Sequence, residues 1–147
     1  MEVQFWKNND KKQGIDPELF SAKAEAFANQ ISNESSDRTN NPTQIRKFYD
    51  EVLRFDNMLK SIPDEKQKEE FEKMLPYIKM LNAKAAYALA RNELISTGFK
   101  DFIAAAVKQT HDKDDFDAFA GLFEAFMGFY KYAYKSKKDQ NRSGGRR

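Results

Sequence analysis

Apolar residues recur at helical spacing along most of the chain, and no segment alternates with the two-residue period of a half-buried strand. Residues 1–15 stand outside this pattern. They are polar and are expected to be mobile, with Phe5 and Trp6 as their only anchors. Asp16 followed by Pro17 marks a helix start, because Asp can cap free N–H groups and Pro fits a first turn. Phe20, Ala24, Phe27 and Ile31 then form a stripe that ends at the polar loop SNESSDRTNN (32–41).

A second helix opens around Pro42, capped either by Asn41 with Gln44 or by Thr43. Its inward face is Ile45, Phe48, Tyr49, Val52, Phe55 and Leu59, and Ser61-Ile62-Pro63 breaks it. Asp64 with Gln67 is expected to cap a charged third helix running to about Leu75. Pro76 either kinks that helix or starts the next. An Ala-rich fourth helix is expected over about 76–96, ending near Gly98, and a short fifth over about 99–110. HDKDD (111–115) is a turn.

The last helix, about 115–136, carries Phe116, Phe119, Phe123, Phe126 and Phe129 among Ala, Leu, Met and Gly. A helix apolar nearly all round is central or lies in an interface. Gly121 and Gly128 there point to close helix approach. Residues 137–147 are expected to be a disordered basic tail. The fold class is therefore all-α: one compact bundle of five to six helices over 16–136.

Composition narrows the function classes. The 147 residues suit one domain and include no Cys, which excludes disulfides, thiolate metal sites and a cysteine nucleophile. There is no span-length apolar run and no signal-peptide pattern at the N-terminus, so the expected location is cytoplasmic, away from any membrane. Net charge is only +2, but residues 131–147 carry seven Lys or Arg against one acid, a net of +6 that leaves −4 for residues 1–130. A basic end on an acidic body fits a polyanion partner, or serves solubility alone.

Catalytic chemistry leaves no mark. The single His, His111, sits in a polar turn, and no metal-binding or phosphate-loop spacing occurs. Most carboxylates have a Lys or Arg three or four residues away, as in DEKQKEEFEK (64–73), the pattern of a solvated helix face. No catalytic residue, metal ligand or cofactor is assigned, and the chain reads as a non-enzyme. A small hydrolase would need paired carboxylates in a pocket, and no acid stands out for that part.

Basic and aromatic residues are more informative. On the second helix, Lys47 and Arg54 lie opposite the apolar arc and Arg46 beside it. Asp50 is four residues from both arginines, so on this helix alone a salt-bridged surface is the better account of them. On the fourth helix Met80, Lys84, Tyr87 and Arg91 share one stripe, and no acid lies between Tyr77 and Asn92. A Lys–Tyr–Arg stripe without acids suits phosphate contact beside a stacking ring; otherwise Tyr87 packs inward and the cations reach to water. Lys131, Tyr134, Lys135 and Lys138 repeat the theme, although cations there also complement the helix dipole.

TQIRKFYDEV (43–52), LNAKAAYALARNE (81–93), GFKDFI (98–103) and LFEAFMGFYKY (122–132), in this order, resemble the small helical subunit of the type III-A CRISPR effector, the Csm complex. The resemblance spans about residues 16–135. Ala90 stands where relatives often carry Gly. It implies a non-catalytic subunit that stacks into a filament and lines the channel holding the guide–target RNA duplex. Its implied partners are guide RNA, target RNA, copies of itself, and the backbone and large subunits, to which the nuclease and cyclic oligoadenylate activities belong. On this reading Arg46, Lys84, Tyr87 and Arg91 are the first RNA-binding candidates, and Lys47, Arg54, Lys131 and Lys135 the next. The alternative is a protein-only adaptor that self-associates through its Phe-rich last helix.

Overall fold

Asn41 caps α2 (Pro42–Lys60): its side-chain oxygen accepts from the Thr43 N–H at 2.9 Å, while Pro42 takes the first turn, where no N–H is needed. Of the two caps open in the sequence, Asn41 is the one used. This computed structural model describes residues 1–145. α1 (Ala24–Asn33) precedes α2, followed by α3 (Asp64–Lys79), α4 (Leu81–Ala90), α5 (Thr97–Lys108) and α6 (Lys113–Gly145). Among the described residues there is no strand, only an isolated antiparallel bridge between Trp6 and Ile15. The chain is an all-α bundle.

α6 runs through the middle. Phe116, Phe119, Phe123 and Phe126 are all fully buried, and the rings of Phe123 and Phe126 meet Phe99 and Phe102 of α5 at centroid distances of 5.0–6.2 Å. The Phe-rich stripe is thus central rather than interfacial. The inward face expected of α2 is found: Ile45, Phe48, Val52, Phe55 and Leu59 are buried and Tyr49 is half-buried. Gly121 allows close approach, because a Cβ there would sit 2.7 Å from the Phe20 ring; Gly128 has nothing within 4 Å.

Several expectations meet a correction. The first helix starts with a π-turn, Leu19–Lys23, in which the Lys23 N–H donates to the Glu18 carbonyl at 3.0 Å. That extra residue shifts the helical phase, so Leu19 is buried while Phe20 is 41% exposed; Ala24 and Ile31 keep their inward places. Gln67 does not cap α3. Its amide donates to the Leu59 and Ile62 carbonyls at 3.1 and 3.0 Å and so closes α2. Pro76 is carried within α3, and the break comes at Met80. α4 ends at Ala90, well before Gly98, because Asn92 and Glu93 adopt left-handed backbone (φ 56° and 52°) and reverse the chain.

Both chain ends make contacts with the body of the bundle. Val3 and Phe5 are buried in the core, and the Trp6 indole N–H donates to Asp115 at 2.8 Å. Lys11 pairs with Asp112. At the other end α6 continues beyond residue 136, and the Lys137 ammonium donates to the Ser32 and Ser35 carbonyls at 2.9 and 2.8 Å, covering the carbonyl end of α1. Arg146 and Arg147 of the expected tail lie outside the described residues.

Candidate nucleic-acid interface

α2 begins from a fixed point. Asn40 is fully buried with φ 58°, a conformation Asn tolerates. Its N–H donates to the Leu94 carbonyl, its amide donates to Ile31 O and Ser96 Oγ, and its side-chain oxygen accepts from the Ser96 N–H. Tyr130 of α6 donates its hydroxyl to the Asn40 carbonyl. The first turn of α2 is thereby tied to α1, α5 and α6.

From that anchored turn, successive residues step by about 100° around the helix, and Arg46 and Lys47 diverge. Lys47 lines a groove between α2 and α4 that also receives Lys84, Tyr87 and Arg91, over a floor of Phe48, Leu81 and Ala88. Arg46 lines a second groove between the start of α2 and α6, together with Lys131, Lys135, Met127, Gly128 and Tyr134. Seven of the eight candidate residues therefore fall into two grooves that share the opening of α2 as their common wall.

In the α2–α4 groove Tyr87 is 64% exposed, so its ring is available and does not pack inward. Ile78, Leu81, Ala85 and Ala88 take the inward side of that stretch, as the spacing predicts. Lys84 has a partner that local spacing hides: its ammonium lies 3.2 Å from Glu51, on α2. Glu51 also accepts from Arg54 at 2.7 Å, and these cations hold its carboxyl below the usual range despite partial burial. Glu51 was missed because its relation to Lys84 is tertiary; the Glu51–Arg54 spacing was the one visible sign. Among the described residues Lys47 and Arg91 make no salt bridge.

In the α2–α6 groove Arg46 is loosely paired with Asp50 at 3.7 Å, and Lys131 and Lys135 make no salt bridge among the described residues. Tyr134 is 9% exposed, and its buried hydroxyl has no hydrogen-bond partner among the described residues. Lys138 sits 5.1 Å over its ring. Arg54 belongs to neither groove. It turns to Glu51 rather than Asp50, and its guanidinium lies 4.5 Å over the Phe55 ring.

A separate cleft between α2 and α6 gathers Asp56, Asp117 and Glu124, the kind of carboxylate grouping a hydrolase would need. Two of the three are engaged: Asp56 pairs with Lys60 at 2.7 Å and Asp117 with Lys113 at 2.9 Å. Among the described residues no cluster of ligating side chains could hold a metal, and no helix is long and apolar enough to cross a membrane.

The family model Csm2 Type III-A matches residues 15–137. The chain belongs to the Csm2 Type III-A family. It is accordingly a small subunit of a type III-A Csm effector complex, and this family is a structural one. Comparison with curated proteins and with solved structures gave no match. The matched span begins just before the π-turn and ends at Lys137, so both grooves lie inside the family region and most of the N-terminal segment lies outside it.

Proposed function

We propose that this subunit is non-catalytic, stacks with copies of itself in a filament, and contacts the guide–target RNA backbone without reading sequence. The observation that carries this reading is the α2–α4 groove, which Lys47, Lys84 and Arg91 line together with the exposed Tyr87. Cations hold phosphates, and a tyrosine beside them stacks on a base or donates to a ribose. Arg46, Lys131 and Lys135 extend the cationic surface into the neighbouring groove. Arg54 serves mainly to hold Glu51.

One copy offers few cations, so affinity is built up by repetition along the filament. Guide RNA, target RNA, further copies of the chain, and the backbone and large subunits are the partners this implies. The protein-only adaptor has less support, because Phe116, Phe119, Phe123 and Phe126 are buried inside the chain itself.

The test is binding of a labelled guide–target RNA duplex over a salt series, with wild type beside Lys84→Ala/Arg91→Ala. Steep salt dependence that flattens in the double variant, about equally for unrelated sequences, supports the assignment. Equal affinity and salt slope in both proteins would sink it. Repeating the series with backbone subunits present separates a surface that needs assembly from one that binds no RNA.

A further inference from the structure

A carboxylate inside a groove meant for a polyanion needs a reason. Glu51 is the one acid lining the α2–α4 groove, and its side chain is 23% exposed. Its two oxygens are unequally engaged. Oε1 accepts from Arg54 Nη2 at 2.7 Å and lies 3.2 Å from the Lys84 ammonium. Oε2 has a single long contact among the described residues, 3.4 Å from Arg54 Nε. An ionised carboxylate accepts and cannot donate, with about four lone-pair positions. Oε2 therefore keeps acceptor capacity on a side chain that lines a groove whose other charged side chains are all cations.

A phosphate is also an acceptor only, so Glu51 repels it. What a nucleic-acid strand can offer this oxygen is a hydroxyl or an amine. In an A-form helix the shallow groove displays the 2′-hydroxyl at every nucleotide, whatever the base, whereas the guanine amine appears only at guanine. A contact independent of sequence has to use the hydroxyl.

We propose that Glu51 makes the α2–α4 groove selective for ribose: its carboxylate accepts from a 2′-hydroxyl while Lys47, Lys84 and Arg91 hold the flanking phosphates. This rests on the RNA-binding reading above. Arg54 and Lys84 both hold Oε1, so the carboxylate is in position before the strand arrives. A strand without 2′-hydroxyls meets the same charge with nothing to donate to it, so discrimination has an attractive and a repulsive part.

The experiment uses the full chain and two labelled duplexes of one A/U-only sequence, which has no guanine amine. One is RNA and the other carries 2′-fluoro at every position, which removes the donor and retains A-form geometry. Wild type should prefer the RNA about tenfold to a hundredfold, the size of one charge-assisted hydrogen bond. Glu51→Ala should bring the ratio close to one, and should bind the 2′-fluoro duplex at least as tightly as wild type does. Glu51→Gln keeps an acceptor without the charge, so it should bind both duplexes more tightly and retain a preference. A Glu51→Ala variant, folded by circular dichroism, that weakens both duplexes alike and keeps the wild-type ratio overturns the proposal and leaves Glu51 as a strut for Lys84. A wild-type ratio of one also overturns it. Wild type that binds neither duplex even with the backbone subunits present refutes the RNA reading itself, and this one with it.

Discussion

The Tyr130 hydroxyl on α6 donates to the backbone carbonyl of Asn40, a residue 90 positions earlier in the chain. Both residues are fully buried, so removing the hydroxyl leaves a carbonyl unpaired in the core. Tyr130→Phe should cost about 1–3 kcal/mol in urea unfolding at pH 7. Burial raises the phenol above its ordinary value of 10.0, which sets the sign of the pH dependence. The folded state holds this proton more tightly than the unfolded chain does, so Tyr130's contribution is complete below about pH 10 and is lost as pH rises further. The stability gap between wild type and Tyr130→Phe should narrow above that pH. A gap that stays constant would mean the phenol is not held neutral by the fold.

Two helical glycines should respond in opposite directions to the same substitution. Gly128 is exposed in the middle of α6 with open space around it, so Gly128→Ala should stabilise by about 0.5–1 kcal/mol through helix propensity alone. Gly98 donates its N–H to the Glu34 carboxylate at 3.1 Å, and a Cβ there would collide with that carboxylate. Gly98→Ala should destabilise by displacing the group that covers the start of α5. Thermal denaturation of the two variants, side by side, is the comparison.

The N-terminal segment carries an acid-sensitive attachment. Partial burial works against the charge on Asp112, yet the Lys11 ammonium and the Asp115 N–H outweigh it and hold the carboxyl below 3.8. Lys23 and the Glu18 N–H do the same for Asp16. Depressed carboxyls contribute stability that is present above about pH 3.8 and is lost as pH falls through the lower folded values. Trp6, the sole tryptophan, should report detachment by a fluorescence change over that acid range, and Lys11→Ala should reduce the pH dependence. Phe5→Ala should cost about 3–5 kcal/mol by opening a cavity beneath the segment.

If both grooves bind the same duplex, their contributions to the salt slope should add. Lys84→Ala/Arg91→Ala and Lys131→Ala/Lys135→Ala should each reduce the slope by up to about two units, since each phosphate contact contributes about 0.9. The quadruple variant should show the sum. A slope unchanged by the Lys131/Lys135 pair would confine RNA contact to the α2–α4 groove.

Helical period made most of the fold legible, because α2 and α6 bury most of the apolar positions read from their spacing. It failed where the period itself changes. The π-turn at Leu19–Lys23 adds one residue, and no residue type announces it; its result is the exchange of Phe20 for Leu19 in the core. The candidate site was legible as a set of residues on single helices. Its division into two grooves was not, since that depends on how α2 lies against α4 and α6. The Glu51–Lys84 pair spans 33 residues, and Lys137 meets α1 from the far end of the chain, relations that no local spacing encodes.

The Asn40 knot stands behind both grooves. Their shared wall starts two residues after it, so widening either groove by swinging α2 would pull on hydrogen bonds to Ile31, Leu94, Ser96 and Tyr130 together. The two grooves are in effect one stiff casting, with widths set when the chain folds. A strand that fits them orders little backbone on arrival, and one that does not fit cannot pry either groove open without disturbing the core.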